Sequence, residues 1–151
     1  EEKYSWKLAN ALVSARQVGQ VTGDRLQGTE IRTTKDLADL VEGVYRRVGI
    51  RDSKVHPATR VFQALRIAVN DELNALREGL EGVKDLIEKD GCITVISFHS
   101  LEDRIVKNTF REWQLAGLGE ALTKKPVIPS EEEVIENPRA RSAKMRVFKI
   151  L

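Results

Sequence analysis

A single cysteine, Cys92, is all the thiol this chain of 151 residues contains, so no internal disulfide can brace it and a packed core has to. No apolar run approaches the ~18 residues of a membrane span, and the N-terminus lacks the zones of a secretory signal. A cytosolic or organelle-matrix protein with no membrane contact is the expectation. Charge of one sign is scarce too: 25 Lys and Arg against 23 Asp and Glu leave +2, too little to announce nucleic acid by total charge. Internal repeats are absent, as are a Gly-x-Gly-x-x-Gly turn, a P-loop, a Cys-x-x-Cys pair and a His-Glu-x-x-His, which removes the usual cradles for nucleotides, adenosyl cofactors and zinc. The two histidines, His56 and His99, have no further ligands at suitable spacing, and no metal is expected.

What remains, 41% hydrophobic and 32% charged, is the composition of a soluble domain of ordinary size with a real core. Its centre is Cys92 to Phe98, an apolar β-rich run introduced by Gly91 and flanked by helical patterns. Such a run reads as a strand buried on both faces, as in a parallel sheet, with Cys92 acting as a small buried hydrophobe. Ligands of open parallel sheets sit beyond the carboxyl ends of the strands, which directs attention to His99 and Ser100.

Helical spacing over residues 1–17 predicts a first helix and residues 18–30 read as a loop. Thr33 and Asp36 form a capping box for a helix that Gly49 stops, and residues 50–55 read as a linker. With Pro57 in the first turn, Phe62, Leu65, Val69, Leu73, Leu76 and Leu80 give one apolar face to a helix of some 23 residues from Ala58. Gly79 and Gly82 bracket a break before a short helix around Val83 to Ile87. Ser100 and Asp103 read as the capping box of a helix from Leu101 to about Trp113. A turn over residues 115–120, an edge strand over 122–128 interrupted by Pro126, a helical turn capped by Ser130 and a last strand over 144–151 complete the chain.

Three groups of side chains invite a functional reading. Thr59, Gln63, Arg66 and Asn70 stack in one stripe of the long helix, and a half-buried stripe of amides serves either internal hydrogen bonds or a ligand. His99 is either a substrate contact at the strand end or a satisfied structural histidine, while Ser100 is first of all a cap. A hydrolytic triad of His99, Ser100 and Asp103 is excluded, because neighbours on one turn point different ways. Arg139, Arg141, Lys144 and Arg146, with Lys124 and Lys125, form either a solvated face or a set of phosphate contacts.

Only three strands emerge, one of them read as buried on both faces, so the sheet looks incomplete. The blocks His56 to Leu73, Ile96 to Lys107 and Asn137 to Arg146, in that order, resemble the RsmH (MraW) family of ribosomal RNA cytosine-N4 methyltransferases. The resemblance covers the C-terminal half of that family.

What it implies is an α/β fold: residues 51–151 as the C-terminal half of a class I, Rossmann-like methyltransferase domain, and residues 1–50 as the second part of an inserted helical subdomain. It also implies methyl transfer from S-adenosylmethionine to a cytosine N4 amine in small-subunit (16S) ribosomal RNA or a 30S-type particle, in the cytoplasm or an organelle matrix. The cofactor would be held mainly by the other half, leaving no cofactor-binding residue in this stretch and the chain inactive alone. Carried over as candidates for substrate and RNA are Arg66, Asn70, His99, Ser100, Arg139 and Arg141. Of another class is the alternative, a non-enzymatic RNA-binding or ribosome-assembly module.

Overall fold

Side-chain caps decide where several of the helices begin. In this computed structural model, which describes residues 3–18, 31–50 and 56–151, the Thr33 hydroxyl accepts the Asp36 N–H at 3.1 Å and Asp36 Oδ2 accepts the Thr33 N–H at 2.8 Å. Two donors that a helix start leaves orphaned are thereby satisfied, and α2 (Thr34–Arg47) starts where the sequence pattern predicts. Gly49, at φ +82°, takes the left-handed turn that ends it. The first helix, α1 (Ser5–Val18), begins four residues later than its spacing suggested. The expected loop over 18–30 and linker over 50–55 fall almost wholly outside the described residues.

The 23-residue helix expected from Ala58 is two helices, α3 (Ala58–Asn70) and α4 (Glu72–Lys84). Asp71 separates them at φ 51°, a left-handed conformation that Asp tolerates better than most residues, and its carboxylate accepts a hydrogen bond from the Asn74 amide at 2.8 Å. Conversely, α4 runs straight through Gly79 and Gly82, the expected break. Neither glycine would meet a neighbour with a Cβ added, so tertiary packing does not require them.

The chain divides at the same Asp71 into two compact units, Glu1–Asn70 and Asp71–Leu151, whereas the sequence reading put a division at residue 50. In the first unit, Leu8 of α1, Leu37, Val41, Val44 and Tyr45 of α2, and Ala58 and Val61 of α3 share one buried cluster. The apolar face assigned to α3 is therefore rotated. Ala58 and Val61 are buried while Val69 is 82% exposed and Leu65 is half exposed.

The second unit holds a three-stranded sheet in the order β1-β3-β2, made of β1 (Cys92–Ser97), β2 (Gly119–Ala121) and β3 (Lys144–Ile150). Both pairings are antiparallel, with Cys92 opposite Lys149 and Ser97 opposite Lys144. The helix α5 (Ser100–Leu115) and α4 cover one face, where Leu80, Ile93, Val106, Phe110, Trp113 and Phe148 are buried together. This corrects the expectation for Cys92 to Phe98. Residues alternate along β1, and Cys92, Thr94 and Ile96 lie exposed on the other face. An apolar run marks a strand with two apolar faces, but among the described residues of this unit only one of them is covered.

Where a strand was expected over 122–128, the sheet takes Gly119–Ala121 instead, plus one isolated bridge from Val127 to Met145. Gly119 marks the place: a Cβ there would stand 2.0 Å from the Lys149 carbonyl oxygen and 2.6 Å from the Phe148 ring, so only glycine lets β2 reach β3. After it come α6 (Glu131–Glu136), capped by Ser130, and a 3-10 turn, Pro138–Ser142. No helix among the described residues is long and apolar enough to cross a membrane.

Candidate functional site

The carboxyl end of β1 is where the chain concentrates polar groups. Its last residue, Ser97, is buried and donates to the Lys144 carbonyl at 3.3 Å. The next turn is closed by side chains rather than by glycines. His99, not Ser100, is the cap of α5: its Nδ1 accepts the Glu102 N–H at 3.2 Å, while Glu102 Oε2 accepts the Phe98 and His99 N–H groups at 2.8 and 3.1 Å. An imidazole nitrogen can stand in for the usual Asn or Asp oxygen because its lone pair lies in the ring plane. Ser100 is the first helical residue and is exposed. His56 plays the same part at α3, its Nδ1 accepting the Ala58 N–H at 3.2 Å and its Nε2 lying 2.9 Å from Glu42.

This role settles the His99 tautomer. With Nδ1 used as an acceptor, the neutral ring carries its proton on Nε2. That Nε2 is buried and makes no hydrogen bond, although Glu102 Oε1 lies 3.3 Å away. A buried donor left open costs about 1 to 3 kcal/mol, so the site spends stability there. Glu72, at the start of α4, brings a second carboxylate, and ligand atoms of Glu72, His99 and Glu102 fall within 4.8 Å of one another. The distances suit a metal ion. The tautomer does not, since Nε2 in this state offers a proton and no lone pair. The arrangement is a buried N–H with no hydrogen-bond partner beside the Glu102 carboxylate, with the Glu72 carboxylate close by.

Replacing His99 with Ala should cost about 0.5 to 2 kcal/mol, the range for losing an N-cap, whereas Asn at the same position should keep stability within a few tenths. Denaturant unfolding of the two variants checks this. Equal losses in both would mean that the ring, rather than its capping nitrogen, holds the turn.

Asp103, expected to complete a capping box with Ser100, instead binds across the unit to β3. Its Oδ1 accepts from Arg146 Nε at 2.7 Å and its Oδ2 stands 3.6 Å from Lys144 Nζ. Burial pushes the Asp103 carboxyl up, but the Arg146 hydrogen bond and charge, helped by Lys144, outweigh it and hold the pKa below the ordinary value. The basic cluster near the C-terminus thus separates into two kinds. Arg146, 7% exposed, and Lys144 serve Asp103, while Arg139 and Arg141 remain exposed on the 3-10 turn, anchored by buried Ala140. Arg66 and Asn70 lie on α3 in the first unit and are exposed, so the stripe they share with Thr59 and Gln63 is less buried than expected. Both do take part in interactions within the described residues.

Sequence reasoning missed Glu72, which periodicity presented as one polar position of a long helix, and the pairing of Asp103 with Arg146, which lie 43 residues apart. The sign alternation of a polar helix gives no hint of a partner on a distant strand.

Comparison with known proteins gives a consistent picture. Residues 1–151 match the profile of the MraW methylase family. The chain is 50% identical over 147 residues to the ribosomal RNA small subunit methyltransferase H of Sulfurihydrogenibium sp. (strain YO3AOP1), covering 97% of this chain and 46% of that protein. It is 50% identical over 149 residues to the protein of that name from Persephonella marina, covering 99% and 47%. To the one from Coprothermobacter proteolyticus it is again 50% identical over 149 residues, covering 99% and 45%. The chain therefore spans about half the length of the curated relatives it matches.

Proposed function

The chain belongs to the MraW methylase family, and from that premise we propose that it forms the C-terminal part of a class I, Rossmann-like enzyme that methylates the N4 amine of a cytosine in small-subunit ribosomal RNA. S-adenosylmethionine is the methyl donor in this reading, the cytoplasm its compartment, and the small ribosomal subunit or its RNA the partner. The observation that carries it is the match along all 151 residues, with relatives named as ribosomal RNA small subunit methyltransferases at half identity. The free side of β1 supports it. Ile96 and Phe98 are 56% and 54% exposed, and among the described residues β1 is bonded on one edge only, to β3. A strand with such a face and edge fits the interior of a larger sheet.

The residues described here do not fit the cofactor. The strand-to-helix turn after β1 is filled by the His99 and Glu102 side chains and presents no glycine cradle, so no residue of that turn is assigned to S-adenosylmethionine. What the chain contributes is the substrate side. An exocyclic amine is a poor nucleophile because its lone pair is delocalised into the ring, so the enzyme must hold it in line and accept its hydrogen bonds. Acceptors of that kind stand at the end of β1 in the carboxylates of Glu72 and Glu102, with His99 close to both and Ser100 exposed in the same turn. Arg139 and Arg141 serve RNA phosphate, and Arg66 and Asn70 of α3 are further candidates for RNA contact.

Protein expressed from the whole gene, given S-adenosylmethionine and unmodified small subunits, is expected to yield N4-methylcytidine by nucleoside mass spectrometry, while this chain alone yields none. RNA binding without methyl transfer by the whole protein would replace the enzyme with a non-catalytic RNA-binding or assembly module.

A further inference from the structure

Resting on the reading that the protein acts on RNA, we propose that a groove between α5 and the segment around β2 is a second binding site, for RNA backbone phosphates, apart from the turn that carries Arg139 and Arg141. The groove has a volume of about 400 Å³. Lys107 and Arg111 stand one helical turn apart on α5 along one wall, Lys124 comes from the segment after β2, and half-buried Ala121 contributes apolar surface between them, with the core residue Phe110 beneath.

Partners distinguish these three cations from several others of the second unit. Lys84 pairs with Glu81, Lys149 with Asp90 at 2.7 Å, and Lys144 and Arg146 with Asp103. Arg77 is held by the Asn74 side chain. Lys107, Arg111 and Lys124 make no ion pair among the described residues. Three unpaired cations against one carboxylate, Glu120, leave the lining positive, since Arg146 at its base is neutralised by Asp103. Concave basic walls focus field and gather anions beyond what scattered surface charge would do.

The frame of the groove is fixed. Gln114 Oε1 accepts the Ala121 N–H at 3.0 Å and Thr123 Oγ1 accepts the Val147 N–H at 3.0 Å. These bonds tie the end of α5 and the chain after β2 to the sheet, so Lys124 is presented opposite the two α5 cations without a loop having to order first. A polyanion with regularly spaced charges is what such walls suit, and apolar surface between the cations suits a sugar or base edge beside each phosphate. A single metal-chelating or acidic ligand would leave the cations unmatched.

The test uses protein expressed from the whole gene, a small-subunit RNA fragment, and the triple variant Lys107→Gln, Arg111→Gln, Lys124→Gln, none of which touches the end of β1. Affinity measured across a salt series should fall by about ten-fold or more at low salt in the triple variant, and the slope of log affinity against log salt should be shallower by about two, as for the loss of three phosphate contacts on a single strand. The double variant Arg139→Gln, Arg141→Gln should reduce the slope further when combined with it, because the two sites are separate. A parent that binds RNA while the triple variant keeps both affinity and slope overturns the groove and leaves the proposed function standing. A parent that neither binds nor methylates RNA overturns both. Pyrophosphate bound by the parent and lost in the triple variant, with RNA affinity unchanged, would make the groove a small-anion site and overturn the assignment to RNA.

Discussion

Phe148→Ala should destabilise the second unit by about 3 to 5 kcal/mol, the upper range for emptying a core aromatic position. Phe148 is fully buried at the centre of β3, and its ring lies 5.2 Å from Phe110 and 5.4 Å from Trp113, with those two 5.6 Å apart. Each pair adds its own aromatic contribution to the area buried. The cavity cannot refill easily, because β2 is pinned against β3 by Gly119, which comes within 2.6 Å of the Phe148 ring once a Cβ is placed on it. Urea unfolding followed by Trp113 fluorescence measures the loss. A change below about 1 kcal/mol would mean that the cluster is not the core of this unit.

Arg146→Ala should cost about 3 kcal/mol, the lower end of the range for breaking a buried ion pair, since Asp103 keeps Lys144 at 3.6 Å. The loss comes from Asp103, left largely buried with its main partner gone. Its pH dependence separates this cause from lost packing. In the parent the folded-state pKa of Asp103 lies below its unfolded value, so the contribution is present above the ordinary Asp range and disappears as pH falls through the folded pKa. The stability gap between parent and variant should therefore close at acid pH. A gap that stays constant from neutral pH down to about pH 2, where an ordinary Asp is protonated, would assign the loss to the Arg146 stem instead. Removing both partners together, as Asp103→Leu with Arg146→Met, should recover most of the stability, because no charge is then stranded.

Much of this was legible in the residues, and the failures have a common cause. The Thr33 and Asp36 box, the stop at Gly49, the strand before His99 and the last strand are all set by neighbours a few positions away. Local chemistry decides them, and local reading finds them. The break at Asp71 depends on one left-handed residue inside an unbroken apolar period, which periodicity cannot see. The burial assigned to Leu65 and Val69 assumed one continuous face across that break. His99 in place of Ser100 as the cap reflects the habit of assigning caps to hydroxyls and carboxylates before imidazoles. Arg146 was grouped with Arg139 and Arg141 because they are close in sequence, yet the alternation of β3 turns it toward buried Asp103. At the candidate site, His99 was found because strand ends are where ligands gather, while Glu72 stayed hidden because nothing in its own segment points to β1.

The bare edge of β1 has a consequence for the chain as a physical object. Strands that finish a sheet in water are usually made unsociable by a lysine, a proline or a bulge. Cys-Ile-Thr-Val-Ile-Ser has none of these. With no strand beside it among the described residues, this edge is an adhesive strip, with a row of open amides and carbonyls beside exposed Ile96 and Phe98, and any extended peptide of the right register can zip onto it. The same features that make the strip hazardous in isolation make it an exacting template, because a mate placed there gains a full ladder of hydrogen bonds and an apolar seam in one step.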